Sequence, residues 1–201
     1  MASRGADGTY LPGYAAWIPH DLAQPLRFRL RVTLPSDYRA AATGKLEAES
    51  DDGENYQGDF TGEQPGGAPA LFAGPYIIGE RFDNDLRLRT YFHPEIAAQS
   101  DIYLAAATAY IQRYSELIGD YPYADFHIVS APLPVGFGFP GLTYIDRRIV
   151  PLSFMRTRSL AHEVVHNWWG NGVAVDYASG HMEKAMPLKI AKVAGVSRRL
   201  L

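Results

Sequence analysis

The most regular pattern in the chain is a strict alternation of polar and apolar residues from Arg27 to Leu34. Phe28, Leu30 and Val32 share a face with Leu34, because successive side chains of an extended strand point to opposite sides. Arginines and one threonine occupy the other face. This alternation predicts a β-strand with one buried and one solvent-facing side.

Two further apolar runs, 76–82 and 86–92, predict a β-hairpin because the turn-forming segment Asp83-Asn84-Asp85 joins them. The stretch before them, 51–69, is rich in Gly, Asp, Glu and Pro. Such a composition predicts loops with at most short strands. The first 92 residues are therefore expected to be β structure.

After residue 92 the period of the apolar residues becomes that of a helix. Apolar side chains recur at helical spacing from Tyr103 to Ile118. Ser100 precedes them as a candidate N-cap, and Gly119 follows as a candidate stop. The pattern predicts one long amphipathic helix.

Three shorter elements are predicted beyond this helix: strands at 126–130 and 142–145, and a helix at 158–169 that Gly170 closes. The chain is thus expected to be an α+β protein. The change from β to mixed structure places a domain boundary between about 90 and 100.

Composition narrows the classes of partner. The formal net charge of the 201 residues is −3, which lacks the basic excess that phosphate binding requires, so nucleic acid is not expected as a partner. The N-terminal ten residues have no apolar segment typical of a signal peptide, and no apolar run elsewhere approaches the length of a membrane span. We therefore expect no signal peptide and no transmembrane segment in this chain, and the compartment stays open.

The sequence contains no cysteine, so any metal must be held by imidazole and carboxylate groups. His162-Glu163-Val164-Val165-His166 is an H-E-x-x-H motif. Residues four apart share one face of a helix, so both imidazoles can approach one Zn²⁺ ion, while Glu163 lies where it can serve as general base. The alternative is a chance match, in which the two histidines only pair with other polar groups.

The residues around this motif extend the match. The run from His162 to Asn171 resembles the H-E-x-x-H-x-W-x-G-N signature of the membrane alanine aminopeptidase family of zinc metallopeptidases, which are gluzincins. The resemblance implies a zinc-dependent hydrolase of peptide bonds, with peptides as substrates. It also implies that residues 1–92 are the C-terminal portion of a β-sandwich-like N-terminal domain, that 93–180 begin a thermolysin-like catalytic domain, and that 181–201 are a divergent tail.

A second segment, Gly136-Phe137-Gly138-Phe139, lies where that family has its G-x-M-E-N exopeptidase loop. The resemblance makes these four residues candidates for binding substrate. In the family a glutamate of this loop binds the free amino group, whereas here Phe139 and Pro140 are expected at the Glu-Asn positions, without a carboxylate. The alternative is an ordinary Gly/Pro turn between two strands.

The third zinc ligand departs from the family pattern. The family's glutamate position falls on Ala185, and the nearest carboxylate is Glu183, with His181 as a weaker candidate. Glu183 is equally well explained as a surface residue. Asn171 and Asp176 could orient the metal ligands or only cap a loop.

We therefore expect a fragment of a larger peptidase, altered near Gly180 and with impaired activity. The competing hypothesis is a zinc-binding or metal-free remnant that acts as a binding module. In either case, exposed apolar helix faces could lead the chain to associate. The remaining histidines, His20, His93 and His127, are expected to be structural or at the surface.

Overall fold

The computed structural model describes residues 3–5, 7–15, 17–19, 26–66, 68–134 and 136–172. In chain order the strands are β1 (Ser3–Gly5), β2 (Gly8–Leu11), β3 (Leu26–Pro35), β4 (Arg39–Ala42), β5 (Lys45–Asp51), β6 (Asn55–Gly66), β7 (Leu71–Gly74), β8 (Ile77–Asp83), β9 (Leu86–Phe92), β10 (Asp125–Ala131), β11 (Gly136–Phe139) and β12 (Leu142–Asp146). The helices are α1 (Ser100–Ile118) and α2 (Leu160–Val165), with 3-10 segments at Gly13–Ala15 and Pro94–Gln99.

Within these ranges the strands form three sheets, ordered β1-β2-β7-β4, β3-β6-β5 and β11-β12-β10-β9-β8. The alternation predicted for 27–34 is confirmed, since the arginines of β3 are exposed and its apolar residues are partly or fully buried. The predicted hairpin is also confirmed as β8 and β9, and Asn84 adopts the positive φ of 53° at the turn.

The loop prediction for 51–69 is wrong, because β6 runs through Asn55–Gly66 and pairs with both β3 and β5. Its glycines explain the error. A Cβ at Gly62 would collide with the ring of Phe28, so glycine here makes room for an aromatic side chain within the sheet.

The five-stranded sheet supports the candidate site. Strands β9 and β10 are parallel and α1 connects them, while β12 pairs parallel to β10 on its other side. The short strand β11 pairs antiparallel with β12 and lies at the end of this sheet in the described part of the chain.

Helix α1 confirms the predicted long helix, and Gly119 ends it with a φ of 132°. Ser100 is its first residue and not the N-cap, since Gln99 occupies that position. The Ser100 hydroxyl instead lies 2.8 Å from Thr90 Oγ1 and so ties the helix to β9.

The helix predicted over 158–169 differs in extent. Its helical segment begins at Ser153, passes through a π-helical turn at Met155–Ser159, continues as α2 and has given way to turns before Gly170, whose φ is 96°. Helix α2 buries its apolar face against α1 and the five-stranded sheet. The core between them contains Leu88, Phe92, Tyr103, Leu104, Phe126, Leu160, Val164, Val165 and Trp168.

A buried ion pair within the five-stranded sheet binds the backbone of one residue of the three-stranded sheet. Arg87 donates to both carboxylate oxygens of Asp125 at 3.1 and 2.8 Å. The Leu46 amide donates to Asp125 at 2.8 Å, and the Leu46 carbonyl accepts a short bond from Arg87. Strand β5 is therefore held on the larger sheet at Leu46 through both of that residue's backbone polar groups, and Glu49 of the same strand pairs with Arg89 of β9 at 2.7 Å.

The α+β fold class is confirmed. The domain limits at 92 and 180 remain predictions, and the five-stranded sheet includes strands from both sides of residue 92. None of the helices in the described ranges combines the length and the apolarity that a bilayer crossing requires.

Candidate zinc and peptide site

Helix α2 and its last turn present His162 and His166 side by side, as their spacing predicts. Their rings meet edge to face with centroids 4.6 Å apart, and their Nε2 atoms are separated by 3.1 Å. Nδ1 of His166 lies 3.1 Å from the main-chain oxygen of Trp169. Because a carbonyl only accepts, Nδ1 carries a proton, which leaves Nε2 as the ring nitrogen that can bind a metal.

This geometry fits one shared zinc ion. Two imidazole nitrogens bound tetrahedrally at the usual zinc distance lie about 3.3 Å apart. Burial, and then the neighbouring His166, lowers the pKa of His162, so its ring is neutral at pH 7 and able to act as a ligand. Unlike that of His166, the Nδ1 of His162 is buried with no hydrogen-bond partner within the described residues.

The described ranges supply two ligands and no third. They contain no group of three His, Cys, Asp or Glu residues that could hold a metal. The predicted third ligand Glu183, its alternative His181 and the candidate orienting residue Asp176 lie outside the described residues.

Glu163 is the acidic group of the site. It follows His162 on α2, and its carboxyl group is enclosed although the residue as a whole is only partly buried. Burial raises the pKa of Glu163 to about 7. A carboxyl group with this pKa can both accept and release a proton near neutral pH, which is what a general base that later acts as an acid must do.

Strand β11 lies directly beside this glutamate. A Cβ built at Gly138 would stand 2.9 Å from Glu163 Oε2 and 3.8 Å from His166 Cβ. The position of this strand that is directed at the helix is therefore Gly138. Phe139 instead packs among the aromatic rings on the other face of the sheet, and Phe137 is exposed.

Asn167 is a site residue that the sequence did not reveal. Its side chain is 1% exposed and connects α2 to the end of β11. Asparagine after the second histidine of the motif carries no signal by itself, because the contact depends on where the distant residue Gly141 folds back. Asn171, proposed from the sequence as an orienting residue, donates its backbone N–H to the His166 carbonyl at 3.2 Å.

Two other histidines are buried, His127 within β10 and His93 just after β9, and His20 lies outside the described residues. His93 lies 2.7 Å from Ser130 Oγ and 2.8 Å from the Asp7 carbonyl, which is a structural role. His127 is fully buried, and burial lowers its pKa. Its Nε2 is 3.6 Å from Asp125, which is too long for a hydrogen bond.

Searches with family models and among curated proteins gave no match. Solved structures do match. An M1 zinc metallopeptidase from Deinococcus radiodurans superposes with a TM-score of 0.69 at 21% identity, over 96% of this chain and 48% of that one. A mutant two-domain M1 zinc metallopeptidase bound to L-tryptophan gives a TM-score of 0.66 at 21% identity, again over 96% and 48%.

The same kind of two-domain mutant bound to L-arginine gives a TM-score of 0.64 at 20% identity, over 96% and 48% of the two chains. At these identities the likeness establishes the fold. The described chain has the fold of M1 zinc metallopeptidases, and it spans about half the length of these structures.

Proposed function

We propose that this chain carries the zinc-binding and catalytic helix of an aminopeptidase-like metallopeptidase, which hydrolyses peptide bonds. The observation that carries the proposal is the pair of imidazoles whose Nε2 atoms lie 3.1 Å apart, next to a carboxyl group whose pKa is about 7. The fold shared with M1 zinc metallopeptidases supports it. Zn²⁺ is the cofactor that this donor set fits.

His162 and His166 would hold the ion, with Glu183 as the proposed third ligand. When bound, zinc polarises the scissile carbonyl and acidifies water. Glu163 takes the proton from the attacking water and delivers it to the leaving amine, as its position beside the two histidines and its raised pKa allow. The buried setting of Glu163 limits competition from bulk water for this proton.

The peptide would lie along β11, whose members Gly136, Phe137, Gly138 and Phe139 we propose as the substrate-binding segment. This strand is at the end of its sheet, so an extended peptide can pair with its free backbone groups. Gly138 leaves room between the strand and Glu163, because any side chain there would meet the carboxylate.

The test compares the wild-type chain with Glu163→Gln, both loaded with zinc, on a panel of peptides at high protein concentration. Glutamine keeps the size of the side chain but cannot accept the proton, so zinc content should stay the same while hydrolysis falls at least about 100-fold. Hydrolysis that persists in the variant would contradict the proposal.

A second candidate is a zinc-dependent peptide-binding module without turnover. The described residues supply two zinc ligands and no third, whereas a catalytic zinc needs three protein ligands and one open position. This observation favours the binding module. Zinc and peptide binding by a wild-type chain that shows no hydrolysis would select this candidate.

A further inference from the structure

Strand β11 passes close to the Glu163 side chain at Gly138. A Cβ at Gly138 would lie 2.9 Å from Glu163 Oε2, so any side chain at this position would displace the carboxylate. The spacing between β11 and Glu163 would also set the distance from Glu163 to a peptide that pairs with this strand. Whatever fixes β11 against α2 therefore fixes the substrate against the general base.

One side chain makes this connection. Oδ1 of Asn167 accepts the backbone N–H of Gly141 at 2.9 Å, two residues after β11 ends. Its Nδ2 donates to the carbonyl oxygens of Val164 at 3.0 Å and Glu163 at 3.3 Å. The amide thus links the end of the strand to the backbone of the catalytic residue itself.

Gly141 is also held through its backbone carbonyl. Its carbonyl accepts the backbone N–H of His127 at 2.8 Å, which anchors it to β10. Gly141 has a φ of 68°, and a Cβ there would meet the Asp125 carbonyl at 2.9 Å, so only glycine suits this position. The carbonyl of Gly141 is thus bound to the sheet. Among the hydrogen bonds of the described residues, only the one to Asn167 connects Gly141 to the helix.

We propose that Asn167 is a positioning residue that sets the spacing between the peptide-binding strand and Glu163. This rests on the proposed function for what the spacing is used for, but the connection itself is a separate property of the chain. Its side chain does not touch the substrate. It acts through Gly141 on β11 and through the Glu163 carbonyl on α2.

Two variants of similar size separate the halves of this contact. Asn167→Leu removes both, whereas Asn167→Asp keeps an acceptor for Gly141 and loses the donor to the helix carbonyls. The matched control is Thr143→Val, which removes the 3.2 Å bond from Thr143 to the Phe137 carbonyl and so alters the same strand from the sheet side only.

Three readouts are needed for each zinc-loaded protein: zinc affinity, the exchange rate of the Gly141 amide hydrogen, and the affinity for an unhydrolysed peptide. We expect zinc affinity to stay within about 2-fold in all variants, because neither imidazole is changed. Gly141 exchange should accelerate about 3- to 10-fold in Asn167→Leu and less in Asn167→Asp, and peptide affinity should fall about 3- to 10-fold in both.

Where hydrolysis is measurable, kcat should fall more than KM rises in both Asn167 variants, and not in Thr143→Val. Unchanged Gly141 exchange in Asn167→Leu would overturn the connection, and equal peptide affinities in all proteins would overturn the positioning role. If the wild type binds neither zinc nor peptide, the proposed function fails and the positioning role with it, while the exchange measurement still decides whether Asn167 holds the strand.

Discussion

At the scale of single residues, the buried carboxyl group of Glu163 lowers the folding stability of the chain at neutral pH, and its proposed role explains why it is buried. Burial raises the pKa of its carboxyl group to about 7, so the folded chain prefers the protonated form. The unfolded chain, with an ordinary glutamate, is ionised well below that pH. In its proposed role as general base, Glu163 would gain a pKa matched to neutral pH at the expense of folding stability.

This trade predicts the pH dependence of Glu163→Gln in the metal-free chain. A raised carboxyl pKa costs nothing below about pH 4.5, and the cost grows as pH rises to about 7. The variant should match the wild type near pH 4 and be more stable at pH 8, by at most about 3 kcal/mol. Urea unfolding with a chelator present measures this.

Glu116→Gln is the control, since it makes the same chemical change on a side chain that is 68% exposed and pairs with Arg113 three residues away. Equal stability of Glu163→Gln and wild type at pH 8 would show that the carboxyl group is not enclosed in solution.

At the scale of elements, the sequence predicts what repeats locally. The alternation of β3, the turn at Asn84 and the helical spacing of α1 are set by neighbouring residues, and all three are confirmed. Strand β6 was missed because glycines are typical of loops, whereas Gly62 makes room for the Phe28 ring of the distant strand β3. The H-E-x-x-H spacing predicted the paired histidines, whereas the bond from Asn167 to Gly141 joins residues 26 positions apart and leaves no local signal.

Strand β11 also predicts how the proposed peptidase treats the substrate's N-terminus. Gly138 is the position directed at Glu163, and it brings no carboxylate to bind an α-ammonium group. A free and an N-acetylated form of the same peptide should therefore bind with affinities within about 3-fold of each other. A larger difference would need a charge-assisted hydrogen bond from the α-ammonium group to a carboxylate, which this strand does not offer. Competition binding on the zinc-loaded chain compares them.

Gly138→Ala serves as the companion variant, since its Cβ would crowd the Glu163 carboxylate and should weaken both peptides equally. A strong preference of the wild type for the free amine would mean that a carboxylate elsewhere in the chain binds it.

At the scale of the whole molecule, the buried pair of Arg87 and Asp125 connects the five-stranded sheet to Leu46 of the three-stranded sheet. Burial by itself raises the pKa of Asp125, but the contacts of His127, Arg87 and the Leu46 amide outweigh it and hold that pKa at about 2. The two bonds from Arg87 are the stronger contact, because the His127 ring lies 3.6 Å away and is neutral. Asp125 is therefore ionised in the folded chain at any pH well above 2.

Asp125→Asn should destabilise the chain at pH 7 by about 3–5 kcal/mol, because it leaves Arg87 buried without its partner. A depressed carboxyl pKa gives stability above about pH 4 that is lost as pH falls toward 2, so the difference between variant and wild type should shrink over that range. Asp59→Asn breaks an exposed pair with Arg31 and should change stability little. Equal effects of the two substitutions would contradict the role of the buried pair.

The most direct test of the whole account is zinc titration of the purified chain and three variants, His162→Ala, His166→Ala and Glu163→Gln. The wild type and Glu163→Gln should each bind about one zinc ion, because both imidazoles are intact and the glutamate is not a ligand. Removing either histidine should weaken binding at least about 100-fold. Equal zinc content in all four proteins would contradict the assignment of this helix as the metal site.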